Sequence, residues 1–203
     1  MKPDNPDGII IRIATPDDQQ YAVLISDETE SSAIKRGSGI SKRPPAYICQ
    51  KILEGKAVIA VTTDGQWVGF SYIEVWANGE FVSNSGLIVH PDYRGMGVAS
   101  GIKQQVFALA REKYPDAQVF SITTGLAIMK MNAALGFDTV TFNEITHDER
   151  FWKGCSSCVN FKILESKQYK NCLCTAMLYK PGDLPLRTQG AQETQGIQKV
   201  QEV

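Results

Sequence analysis

The stretch Leu87-Ile88-Val89-His90-Pro91-Asp92-Tyr93-Arg94-Gly95-Met96-Gly97-Val98-Ala99 constrains the fold more than any other in the chain. An apolar strand pattern runs into a turn punctuated by Gly95 and Gly97, and a helical pattern starts directly after it. Architectures that feed the end of a strand into the N-terminus of a helix can hold such a segment. A helix start presents unpaired backbone N–H groups and the positive end of the helix dipole. Glycines let the backbone approach an anion closely, and Arg94 adds a permanent cation with paired donors, so a pyrophosphate suits this loop. A bare glycine loop is also what a ligand-free strand-to-helix turn needs, so its surroundings decide between the two.

Those surroundings read as one mixed α/β domain with the order β-α-α-β-β-β-α-β-α-β. Residues 1–8 form a loose leader. Ile9 to Ala14 is a β-branched strand. Thr15-Pro16-Asp17-Asp18 marks a helix start, with Thr15 as cap and Pro16 in the first turn, and the helix runs to about Lys35. Pro44-Pro45 opens a second helix through Leu53. Lys56–Thr62, Trp67–Trp76 and Phe81–His90 are strands joined by the turn signals Asp64-Gly65 and Asn78-Gly79, an antiparallel meander. A helix spans Val98–Lys113, with Ile102, Val106, Leu109 and Ala110 on one face. A strand at Gln118–Thr123, a helix at Gly125–Leu135 and a strand at Phe137–Phe142 follow. Residues 143–175 are irregular and bear cysteines, Ala176–Tyr179 is a last strand, and residues 181–203 are polar and read as disordered.

Composition narrows the function. The 21 Lys and Arg against 22 Asp and Glu give a net charge of -1, which argues against a nucleic-acid binder working by bulk charge. No apolar run, Ala57–Val61 included, is long enough to span a bilayer. The N-terminus lacks an apolar signal core, so a cytoplasmic location is expected. There the five cysteines are expected to be reduced or metal-bound, not disulfide-linked.

Arg94-x-x-Gly97-x-Ala99 after a meander strand resembles the acyl-CoA pyrophosphate signature of the GNAT N-acyltransferase superfamily. Val89-His90-Pro91-Asp92-Tyr93, Leu135-Gly136-Phe137 and the element order over residues 9–142 match that superfamily as well. The resemblance implies a GNAT-type fold that uses acetyl-CoA or another acyl-CoA. It places the pantetheine arm along Leu87, Ile88 and Val89 and the pyrophosphate on the amides of Arg94, Gly95, Met96, Gly97, Val98 and Ala99. It also implies an oxyanion donor among backbone N–H groups near Val89. The acceptor amine must lose a proton before attack, and Glu74 and Glu80 are the candidate bases, with His90 behind them. Residues so placed are more often surface or structural than catalytic. Many members carry a tyrosine acid four residues before the Gly-Phe pair. Here Asn132 stands there, which cannot donate a proton by ionising but can hydrogen-bond the cofactor.

Lys35-Arg36-Gly37-Ser38-Gly39-Ile40-Ser41-Lys42-Arg43 carries four cations and no acid. Either it is a solvated loop, or Arg36, Lys42 and Arg43 help form a nest for an anionic acceptor. Asn84, Ser85, Thr123 and Thr124 are candidates to line the cleft beside it, or to make ordinary cross-strand hydrogen bonds. This segment, Glu54–Ala60, Thr123–Ala127 and Phe151–Cys155 resemble bacterial single-domain proteins linked to N-acylglutamate synthesis in arginine biosynthesis. That narrower resemblance implies glutamate as acceptor and acetyl-CoA or succinyl-CoA as donor. A protein N-terminus or lysine as acceptor, and a non-catalytic acyl-CoA-binding module, are the alternatives. A homodimer is compatible with the fold.

Cys155-x-x-Cys158 and Cys172-x-Cys174 form two short pairs. Four thiolates so spaced suit a structural zinc, if residues 172–174 are a strand that turns both sulfurs to one face. Buried apolar cysteines or a redox pair are the other readings.

Overall fold

The computed structural model describes residues 8–37 and 43–182, the side chain of Arg36 excepted. Residues 1–7 of the expected leader, Lys42 and residues 183–203 of the expected tail lie outside that description. The strands are β1 (Ile9–Ile13), β2 (Ala57–Thr62), β3 (Trp67–Trp76), β4 (Phe81–Val89), β5 (Gln118–Thr123), β6 (Asp138–Val140) and β7 (Thr175–Tyr179). The helices are α1 (Ala22–Arg36), α2 (Pro45–Leu53), α3 (Val98–Lys113), α4 (Leu126–Ala134), α5 (Glu149–Lys153) and α6 (Phe161–Ser166). The expected fold class therefore stands: one seven-stranded mixed sheet in the order β1-β2-β3-β4-β5-β7-β6.

Local chemistry explains most element ends. Asp18 accepts from the Thr15 N–H at 2.7 Å and from the Arg12 guanidinium at 2.6 and 3.0 Å. This ties the chain leaving β1 into a 3-10 turn over Pro16–Tyr21, so α1 proper begins later than Pro16. Gly37 ends α1 in the left-handed conformation, φ 55°. β1 to β4 pair antiparallel in sequence order, as the turn signals require. The only parallel pair in the described sheet is β4 with β5.

Strand alternation sends side chains to two faces. Val68, Ile73 and Val82 pack with Ile102, Val106 and Leu109 of α3. Phe70, Tyr72 and Ile88 pack with Ile25 of α1 and with Ile48 and Ile52 of α2. Each such side chain contributes about 1.5–3 kcal/mol by leaving water. A third cluster gathers Phe81, Phe120, Phe142, Ile145, Trp152 and Leu164 at the far end of β4 and β5. The segment expected to be irregular holds α5 and α6, and it closes this third cluster. The strand expected at Phe137–Phe142 shortens to β6, because Phe142 turns inward into that cluster within a 3-10 turn. β7 inserts between β5 and β6, pairing antiparallel with both.

Candidate functional site

β4 and β5 pair only at Phe81–Ser83 against Gln118–Phe120 and then part. Beyond Ser83, the β4 edge facing β5 has no strand partner, so its backbone groups are left for something else to satisfy. The gap opens into a cleft of about 830 Å³. A bulge sharpens the divergence: Phe70 faces Ile88, whereas Tyr72 faces Ser85, so β4 carries one extra residue opposite Ser71. Gly86 sits in that bulge at φ 65°, and a Cβ there would lie 2.4 Å from the Tyr72 ring. Only glycine meets both conditions.

The glycine loop follows β4. Gly95 and Gly97 hold φ of 82° and 81°, and Gly97 caps α3. The first backbone donors to its carbonyl are Ser100 and Gly101, so the N–H groups of Val98 and Ala99 precede the helical ladder. The Arg94 side chain is 40% exposed and is engaged on both sides of the loop. Its Nε donates to the Val89 carbonyl at 2.9 Å, and its Nη2 reaches Glu28 at 2.9 Å and Ser32 at 2.7 Å. The arginine expected on the pyrophosphate thus ties the loop to α1, beside the unpaired N–H groups of the loop backbone.

Of the candidate bases, Glu74 alone lines the cleft. It lies on the α2 side of β3, where the Lys51 ammonium meets its Oε1 at 2.9 Å. Burial pushes the Glu74 carboxyl up to about 7, against the pull of Arg43 and Arg150. The facing ammonium favours the ionised form, and around neutrality the carboxyl stands close to its protonation midpoint, able both to take and to release a proton. Glu80 is exposed at the turn between β3 and β4, where its carbonyl receives the Gln118 N–H, and it does not line the cleft. His90 is also away from it: its Nδ1 accepts weakly from the Asp92 N–H at 3.4 Å, and its ring meets Trp67 edge-on. Asn132 is fully buried in α4 and does not line the cleft. Its Nδ2 donates to the Met177 sulfur at 3.6 Å, and its Oδ1 has no partner among the described residues.

The acceptor-side candidates divide similarly. Arg43, Asn84, Ser85, Thr123 and Thr124 all line the cleft, Lys42 lies outside the described residues, and Arg36 is placed only as the last residue of α1. Arg43 Nε donates to the Tyr72 hydroxyl at 3.0 Å, and its guanidinium lies 5.7 Å from the centre of the Tyr47 ring. Asn84 comes immediately after the last β4–β5 pair. It is 8% exposed, and both ends of its amide are unpartnered among the described residues, a costly state that a polar ligand would relieve. Ser85 shares a hydroxyl contact with Ser83 at 3.0 Å, and Ser83 accepts from the Trp76 indole at 2.8 Å. Thr123 Oγ1 accepts from the Gly125 N–H.

Sequence reasoning missed Lys51, Tyr47, Tyr72, Arg150 and Lys103. Arg150 lines the cleft from α5 and is held by Asp148 at 2.5 Å, which keeps the Asp148 carboxyl well below the usual carboxylate range. Nothing in the primary pattern brings α5 to this place. Lys103 did leave a signal: it sits three residues before Val106 and seven before Ala110, inside the apolar stripe of α3.

Cys155, Cys158, Cys172 and Cys174 also line the cleft, as unbridged thiols. Burial, followed by the neighbouring sulfurs, pushes Cys155 up to about 11 and Cys174 up to about 12. Among the described residues no group of three or more His, Cys, Asp or Glu is arranged to hold a metal ion. The zinc expectation finds no support in this geometry. β7 begins only at Thr175, so Cys172 and Cys174 lack the strand alternation that would turn both sulfurs one way.

Residues 28–131, just over half of the chain, match the sequence model of the acetyltransferase (GNAT) family. A comparison with curated proteins finds no match. Among solved structures, N-acetylglutamate synthase from Neisseria gonorrhoeae, complexed with coenzyme A and N-acetyl-glutamate, covers 87% of this chain with a TM-score of 0.60 at 17% identity. The chain spans 36% of that enzyme's length. A Mycobacterium tuberculosis protein in complex with CoA covers 84% of this chain, over 98% of its own, with a TM-score of 0.60 at 19% identity. A phosphinothricin acetyltransferase from Sinorhizobium meliloti in complex with acetyl-CoA covers 93%, over 95% of its own length, with a TM-score of 0.57 at 15% identity. At these identities the likeness is one of fold.

Proposed function

The chain belongs to the acetyltransferase (GNAT) family, and from that premise we propose that it transfers an acyl group from acyl-coenzyme A to the amine of a small, carboxylate-bearing acceptor. One observation carries this reading. β4 and β5 part into a cleft that follows the last strand pair, with Glu74 half-buried along it and a helix N-terminus waiting at the end of β4. In this reading the pantetheine arm runs along the unpaired edge of β4, and the loop amides from Gly95 to Ala99 receive the pyrophosphate. The acceptor amine arrives protonated, and Glu74 takes the proton that must leave before the nitrogen lone pair can attack. The C–N bond forms as the C–S bond breaks, and backbone N–H groups of the β4 edge hold the developing oxyanion. Arg43 and Arg150 offer the acceptor carboxylate a pair of guanidinium groups.

The finer proposal is formation of N-acetyl- or N-succinylglutamate, a step of amino-acid biosynthesis. The cationic side of the cleft supports it, as does likeness in fold to a structure holding coenzyme A with N-acetyl-glutamate. A cytoplasmic place goes with such a donor, and no described helix is long and apolar enough to cross a membrane. The test is CoA-thiol release by the purified chain with acetyl-CoA or succinyl-CoA and a panel of amino acids. Release that depends on L-glutamate is expected, and the faster donor identifies the acyl group. Release with other acceptors only would overturn the glutamate assignment, and absence of CoA binding would overturn the acyl-CoA reading.

A further inference from the structure

Lys103 is 2% exposed, yet among the described residues it has no carboxylate partner and donates no hydrogen bond. Its ammonium nitrogen lies 5.8 Å from the centre of the Phe137 ring. A buried ammonium without a counter-ion is costly, and structural lysines avoid that state by pairing or by reaching solvent. Here the side chain lines the same cleft as Glu74. The two approach from opposite faces of the sheet. Glu74 shares the α2 side with Phe70 and Tyr72, whereas α3 packs on the other face. Only where β4 and β5 have parted can groups from both faces address one reacting centre.

Resting on the acyl-CoA reading, we infer that Lys103 is the cation that meets the sulfur expelled during acyl transfer and gives it a proton. The charges balance. The acceptor ammonium loses one proton to Glu74, attacks to form the C–N bond, and gives its second proton to water as the amide forms. The C–S electron pair leaves on sulfur, a proton from the Lys103 ammonium converts the thiolate to the CoA thiol, and the neutral lysine is reprotonated from water. Before reaction the ammonium lacks a partner, and it gains one only as negative charge collects on sulfur. It therefore favours the transition state over the bound substrate. Burial supports the assignment by holding Lys103 down to about 8, so it is mostly protonated at neutral pH but yields its proton readily. Among the described residues no other charge competes for it. Of the strands packed on α3, only β1 and β3 carry charged residues, and these are engaged: Arg12 with Asp18, Glu74 with Lys51. Lys130 of α4 and Asp138 of β6 are exposed, Tyr179 of β7 packs its ring on Phe137 and Phe107, and Arg111, Glu112 and Lys113 lie at the far end of α3.

The test compares the wild-type chain with Lys103→Met and Lys103→Arg for CoA binding by calorimetry, for thermal midpoint, and for amine-dependent thiol release across pH 6–10. Lys103→Met should melt no lower than wild type, since it removes a buried unpaired charge, and its affinity for CoA should be unchanged. Its kcat should fall about a hundredfold or more, with KM for the acyl donor preserved, the range set by losing a positioned proton donor. The wild-type decline in rate above about pH 8 should vanish in this variant. Should Lys103→Met fail to fold, Lys103→Arg serves instead: a guanidinium keeps the charge but not the proton transfer, so kcat should still fall. Wild-type kcat in the variants, a loss confined to KM, or an alkaline limb retained in Lys103→Met would overturn the role of Lys103 and leave the acyltransferase standing. A wild-type chain that does not bind CoA would overturn both.

Discussion

Glu74 combines two demands that usually conflict: it is buried enough to be basic, and with Lys51 facing it, it still reaches its protonation midpoint near neutral pH. A base must be deprotonated to act, so the transfer rate should climb as pH rises through about 7, until the loss of the Lys103 proton turns it down above about 8. Glu74→Gln should remove that limb and cost about a hundredfold or more in kcat, read from pH–rate profiles. The same group sets a stability trend. Its folded value of about 7 exceeds the ordinary 4.5, so folding takes up a proton between these values, and stability falls as pH rises through that window. Glu74→Gln, neutral throughout, should flatten that fall in denaturant titrations from pH 4 to 8. Asn84 makes the opposite kind of prediction. Its amide is buried and unpartnered, so Asn84→Leu should leave the fold as stable or up to about 1–2 kcal/mol more so, while raising the acceptor's KM. A parallel loss of stability would mean that the amide serves the fold and not a ligand. Glu74 and Asn84 could be singled out in the sequence because a carboxylate or amide within an apolar strand is itself unusual. Their partners could not, because Lys51 meets Glu74 across 23 residues and Arg43 meets Tyr72 across 29.

The cleft belongs to no single element. It exists because β4 pairs with β5 for three residues and no further, and because the bulge at Gly86 turns the rest of β4 away. Gly86→Ala would place a Cβ against the Tyr72 ring in a left-handed backbone. It should cost about 3 kcal/mol, about 1–2 from the backbone and the remainder from displacing the ring, and it should reduce activity by moving Arg43's partner. Arg94 also acts at this scale. It joins the end of β4, the glycine loop and α1 through Val89, Glu28 and Ser32. Arg94→Ala should therefore lower the thermal midpoint along with CoA affinity, whereas a residue contacting only the cofactor would lower affinity alone. The extent of α3 and the strand meander were plain in the sequence, since a continuous apolar stripe and two turn signals are local information. The early end of β6 was not, because the pull on Phe142 comes from Trp152 and Ile145 in a third core cluster.

The whole molecule uses that third cluster to seat the cysteine-bearing segment against β4, β5 and β7, through Phe81, Phe120, Ala176 and Leu178. Trp152 is its keystone: it packs on Phe142 and Phe151, and its indole donates to the Thr146 carbonyl at 3.0 Å. Trp152→Ala should cost about 3–5 kcal/mol, read from chemical denaturation. The thiols report the same event. With Cys155 and Cys174 pushed up to about 11 and 12, alkylation by iodoacetamide should be slow at pH 7 in the wild type and much faster in Trp152→Ala. The sequence by itself determined the class of the fold, the meander, the strand–loop–helix that suits a pyrophosphate and the family to which the chain belongs. Each of these is written in the spacing of neighbouring residues, where hydrophobic period, turn chemistry and glycine act within a few positions. The tertiary structure alone decided that β7 inserts beside β5, that Arg94 ties its loop to α1, that Glu80 and His90 stand away from the cleft, and that Arg150 and Lys103 reach it. Those outcomes depend on which distant surfaces bury one another and on which charges burial leaves without partners, and no local pattern encodes either.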